Sequence, residues 1–96
     1  MDSDGYPDEQ ELTKIREWPF EPSYKELMEF IKSIWVYADI GYFEHNDNVY
    51  TLHTGGWSGN EDIIKALREN VIFWGLCWEW SKKGGHYQFI LNKPTY

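Results

Sequence analysis

Cysteine is almost absent from this chain, with Cys77 the only one. An intramolecular disulfide is therefore impossible, and a reducing compartment is the natural expectation. No apolar run reaches the length of a membrane span, so no membrane association is expected. The opening "MDSDGYPDEQE" is acidic, where a secretory or organellar leader carries positive charge. Basic residues are scarce as well: nine Lys and Arg face sixteen Asp and Glu, for a net charge of −7. Phosphate backbones repel such a chain, which argues against generic nucleic-acid binding. The lysine-hydroxyl pair of a Walker loop and the dinucleotide fingerprint are both missing. His45, His53 and His86 lack the short paired spacing of a zinc site. No metal or cofactor is expected.

Aromatic residues are what the chain has in excess. Six Trp, seven Tyr and five Phe make up 19% of 96 residues. A small core does not hide that many rings, so some are expected at the surface. Charge is uneven: residues 1–48 hold twelve acids and four bases, residues 49–96 four acids and five bases. An acidic half suits solubility, or a basic partner surface.

The length gives one domain over 1–96, with 1–7 a loose acidic tail. Asp8 and Glu11 have capping-box spacing, and the helix they start ends at "WPFEP". Ser23 and Glu26 repeat the spacing. Tyr24, Leu27, Met28, Ile31, Ile34 and Trp35 then recur at three- and four-residue steps, which predicts a helix over 23–34. β-branched and aromatic runs predict strands over 35–45 and 48–54, paired as a hairpin around "NDN". A third capping-box pair, Ser58 and Glu61, precedes Ile63, Ile64 and Leu67, predicting a helix over 60–69 with Asn70 as its stop. Ile72, Trp74, Leu76, Trp78 and Trp80 alternate, predicting a strand over 71–80. "KKGG" turns it into a last strand over 86–91. The order ααββαββ implies an α+β fold: a mainly antiparallel sheet of about four strands, in two hairpins, packed with two or three helices. Leu27, Ile31, Ile64, Leu67, Leu76 and Phe89 are the expected core.

The stretch most suited to a site is "HTGGWSGNE". Gly55 and Gly56 allow the chain to leave a strand through dihedrals that other residues avoid. In the structural reading Ser58 caps the helix and Trp57 packs inward as a staple. In the functional reading the same turn offers backbone N–H groups and a positive helix end to a small anion, with Trp57 free to stack on a base or sugar. "KKGGHYQF" supplies a second flexible corner. The candidate ligand-binding residues are His53, Thr54, Gly55, Gly56, Trp57, Ser58, Gly59, Lys82 and His86. Cys77 reads as a small buried hydrophobe. His53 with Glu79 is the one acid–base pairing to consider. No catalytic residue is assigned.

The blocks "TGGWSGNEDII" and "FWGLCWEWSKKGGHYQFIL" resemble a family of small proteins of tailed bacteriophages and prophages that has no assigned activity. The similarity spans residues 49–91 and carries over no functional residue. It implies a phage product in the bacterial host cytoplasm, where host takeover or counter-defence is the setting. The leading expectation is a non-enzymatic accessory protein that binds a host macromolecule, in keeping with the aromatic surplus and the acidic first half. A small-ligand or nucleotide-sequestering protein using the GGWSG corner is the alternative. A small enzyme ranks third.

Overall fold

A computed structural model of the chain describes residues 6–92. Residues 1–5 of the expected tail lie outside that range, whereas Pro7 is buried. Helix α1 (Glu9–Arg16) begins as its sequence dictates. The Asp8 carboxylate accepts from the Glu11 N–H at 2.8 Å, and the Glu11 carboxylate accepts from the Asp8 N–H at 2.9 Å.

Helix α2 (Lys25–Ile34) starts differently. Tyr24, not Ser23, is its N-cap, in the left-handed region at φ 58° and with no side-chain capping bond. That backbone conformation is costly for a residue with a Cβ. Packing explains it, because the Tyr24 ring is buried edge-on to Phe73 at 5.2 Å. The expected stripe of Leu27, Met28, Ile31 and Ile34 is buried.

The strand expected over 35–45 is confined to β1 (Phe43–Asn46). Trp35 ends α2, and a short 3₁₀ turn covers Ala38–Ile40. Both backbone polar groups of Val36 are taken by one side chain: its N–H donates to the Asn60 amide oxygen at 3.0 Å, and its C=O accepts from the amide nitrogen at 3.1 Å. A residue bonded in this way has nothing left for a ladder. Strand β2 (Val49–His53) pairs with β1 as the "NDN" turn predicts.

Helix α3 (Ser58–Glu69) is followed directly by α4 (Val71–Cys77). The first half of the strand expected over 71–80 is thus helical. Asn70 is a stop for α3, as expected, and also the cap of α4, its side chain accepting from the Phe73 N–H at 3.2 Å. Phe73 and Cys77, four apart, form the buried side of α4. Leu76, expected in the core, is 47% exposed. Apolar residues at every second position also contain an i, i+4 pair, so the period alone did not decide between strand and helix. Strands β3 (Trp78–Lys82) and β4 (His86–Ile90) then complete a sheet of order β1-β2-β4-β3, antiparallel throughout. The fold is α+β.

One face of the sheet carries Phe43, Tyr50, Leu52 and Phe89, all buried. Phe89 meets Phe73 and Trp74 of α4 at 5.4 and 5.5 Å, and Phe43 meets Trp35 at 6.4 Å. The opposite face carries Glu44, Thr51 and Gln88 in one cross-strand row and His53 and His86 in the next.

Leu27→Ala and Leu67→Ala should each cost about 2–5 kcal/mol in urea unfolding. Leu76→Ala should stay within about 0.5 kcal/mol. Equal losses at Leu67 and Leu76 would mean that α4 is turned the other way. Burial raises the Tyr24 phenol above its ordinary value of 10.0, with Cys77 as the next contributor. It raises that of Tyr50 likewise, with Glu29 next. The unfolded chain releases these protons first, so their contribution is intact below about pH 10 and is lost as pH climbs further. The fall in melting temperature above pH 10 should be shallower in a Tyr50→Phe variant.

Candidate functional site

The two glycine-rich corners meet. Pairing of β2 with β4 sets His53 opposite His86. One residue on, the Thr54 N–H donates to the Gly85 carbonyl at 2.9 Å. Thr54 is fully buried there. Gly85 has φ +85°, and a Cβ on it would lie 2.1 Å from the Thr54 hydroxyl oxygen. Only glycine lets the strands approach so closely. Gly55 is closed on by Tyr42, whose ring would stand 2.1 Å from an added Cβ. Gly56, at φ +75°, faces open space.

The loop is held by Thr54 and not by Ser58. The Thr54 carbonyl accepts from the Trp57 N–H at 3.0 Å and from the Asn60 amide at 3.5 Å. Its hydroxyl donates to Glu61 at 3.5 Å. The expected Ser58–Glu61 capping box is therefore not formed. Ser58 is the first helical residue, and its hydroxyl donates to the Tyr6 hydroxyl at 3.1 Å. Trp57 is the N-cap residue, and no side-chain capping bond is made there. Its ring packs on Tyr6 at 5.0 Å and lies over Gly59, where a Cβ would come within 2.7 Å of the indole nitrogen. This is not the expected staple, which joins the residue before the N-cap to the fourth helical residue. The ring closes the N-terminal segment onto the start of α3.

The chemistry lies on the sheet. The Nδ1 atoms of His53 and His86 are 2.8 Å apart. The far nitrogen of His53, Nε2, is 2.6 Å from the Glu44 carboxylate. His53 is 25% exposed and Glu44 60%. Proton counting orders the chain. A carboxylate only accepts, so Nε2 of His53 carries a hydrogen. The Nδ1 of a neutral His53 is then bare and accepts from the Nδ1–H of His86. That leaves Nε2 of His86, which lies against Gly84, as the nitrogen still able to accept. Such a carboxylate–imidazole–imidazole chain can hold a polar ligand at His86. Lys82 is opposite His86 on β3, with its ammonium 4.8 Å above the Trp80 ring.

Of the nine sequence candidates, His53, Thr54, Lys82 and His86 come together at one end of the sheet, with Gly55 and Gly56 in the turn beside Thr54. Trp57, Ser58 and Gly59 instead face Tyr6 and Pro7. Glu79, the acid paired with His53 from the sequence, sits on β3, separated from β2 by β4. Glu44 takes that place. A signal for it existed: the "NDN" hairpin sets Glu44 opposite Thr51, diagonal to His53. Among the described residues no three His, Cys, Asp or Glu side chains are grouped to hold a metal ion. No helix there is long and apolar enough to cross a membrane.

A second surface was not legible in the sequence. The side of α4 away from Phe73 and Cys77 presents Val71, Ile72 and Leu76, which are 74%, 53% and 47% exposed. Beside them Trp78 stacks on Trp74 at 5.8 Å and is 38% exposed. No protein-family model, curated protein or solved structure matches the chain.

Gly85→Ala should cost clearly more stability than Gly56→Ala, because it adds a collision with Thr54 to left-handed strain of about 1–2 kcal/mol. Ser58→Ala should stay within about 0.5 kcal/mol, whereas loss of a true cap costs about 1 kcal/mol. Urea unfolding of the three variants checks the assignment. A Ser58 loss as large as that of Gly85 would contradict it.

Proposed function

We propose that this chain is a non-enzymatic binding protein that docks a basic partner protein on the outward side of α4. The observation that carries the reading is the exposure of Val71, Ile72 and Leu76 on one helix whose other side is core. Exposed apolar surface of this kind costs solubility unless something covers it. Trp78 beside it supplies the ring type that dominates binding hot spots. The net charge of −7 favours a basic partner through long-range steering. The resemblance to small phage proteins supports a host protein as that partner, met in the bacterial cytoplasm during takeover or counter-defence.

A photo-cross-linking residue at Ile72 tests this in host cells. One basic host protein should be cross-linked, and the product should vanish in Leu76→Glu while the melting temperature holds. Cross-linking that survives Leu76→Glu unchanged, or that yields no host product, would overturn the reading.

The Glu44–His53–His86 chain supports a second reading, a small anionic ligand held at the joined corners. The Lys82 ammonium opposite His86 supplies the charge that an anion requires. Thermal shifts with a nucleotide panel should then be lost in His53→Gln and in His86→Gln, with coupling in the double variant. Shifts that persist in both would place the ligand elsewhere.

A further inference from the structure

An apolar groove of about 370 Å³ runs beside the end of α1, lined by Thr13, Lys14, Trp18 and Pro19, with Glu17, Glu21 and Glu26 also on its walls. Its aromatic part is held in place. Trp18 packs on Phe30 at 5.7 Å, and its indole N–H donates to the Glu21 carboxylate. A cation of the chain itself already rests on these rings. The Lys14 ammonium stands 4.5 Å from the Phe30 ring centroid and 5.6 Å from that of Trp18.

We infer that this groove receives an arginine side chain from the basic partner, stacked on Trp18 in place of the Lys14 ammonium and paired with the surrounding carboxylates. The inference rests on the partner-binding reading for the source of the arginine. The chemistry stands on the groove itself. A ring face attracts a cation through its quadrupole, and tryptophan does so best. A guanidinium is planar and weakly hydrated, so it stacks on an indole and still presents its N–H fork to carboxylates. An ammonium on a flexible stem does neither as well, which makes Lys14 a displaceable occupant. Glu17, Glu21 and Glu26 supply three carboxylates of the sign an arginine requires. An acidic residue or a neutral apolar side chain from a partner would find the wrong charge or leave the carboxylates unpaired.

The test uses short blocked peptides with a single central arginine, or citrulline in its place, titrated into the full chain and followed by NMR at the Trp18 indole N–H. Citrulline keeps the shape and removes the charge. The arginine peptide should shift the Trp18 resonance saturably, and citrulline should not. Added salt should weaken the shift. Lys14→Ala removes the internal competitor from an exposed position and should tighten arginine binding severalfold. Glu17→Gln and Glu26→Gln should weaken it. An unmoved Trp18 resonance, equal shifts from citrulline, or weaker binding by Lys14→Ala would each overturn the inference. The outcomes separate from those of the α4 reading, because the peptide needs no partner protein and Leu76→Glu should leave its binding unchanged.

Discussion

The Asn70 side chain lies where three helices meet. Its amide nitrogen donates to the carbonyls of Ile15 and Trp18 at 3.0 and 3.1 Å, and its oxygen accepts from the Phe73 N–H. Asn70 is only 5% exposed, so each of these groups would be costly to leave without a partner. One amide therefore closes the end of α1 and starts α4, while the backbone N–H of the same residue ends α3 on the carbonyls of Ala66 and Leu67. The rest follows. With α4 begun at Val71, Phe73 and Cys77 turn to the core, and Val71, Ile72 and Leu76 have no place but outside. With the Trp18 carbonyl held, the Trp18 ring takes its position at the end of α1, where the apolar groove forms.

Asn60 does the same work on the other side of the molecule. Its side chain closes on both backbone groups of Val36 and reaches the Thr54 carbonyl. It thereby ties the segment after α2 to the corner where β2 turns into α3. Thr54 then bonds Gly85 and brings His53 against His86. Two buried amides thus place the irregular backbone, and the regular elements fit around them. Both candidate surfaces are consequences of these ties.

Much of the fold was legible because local chemistry and tertiary demand agreed. The Asp8–Glu11 box and the "NDN" hairpin are satisfied by near neighbours in the chain, and the period of the α2 stripe marks the side that the core buries. Where the two disagreed, packing won. Ser23 and Ser58 had the spacing of caps, but burial of Tyr24 and the bond from Thr54 to Glu61 settled those helix starts instead. The run from Val71 to Trp80 was ambiguous in itself, since its apolar residues satisfy both periods. The histidines at the corner were legible as types, whereas Glu44 carries no local mark of its own and could be placed only through the register of the "NDN" hairpin.

By itself the sequence determined the class of the protein: one acidic, aromatic-rich α+β domain without a disulfide, with glycines where two corners had to bend. Composition and near-neighbour spacing carry that much, because they act over a few residues of chain. Only the tertiary structure decided that His53 meets His86 and Glu44, that Leu76 lies outside, and that Trp18 carries a cation. Those outcomes depend on strand order and on which carbonyls two buried asparagines reach. Asn60 reaches back 24 positions to Val36 and Asn70 reaches back 55 to Ile15, distances over which no periodicity in the chain can speak.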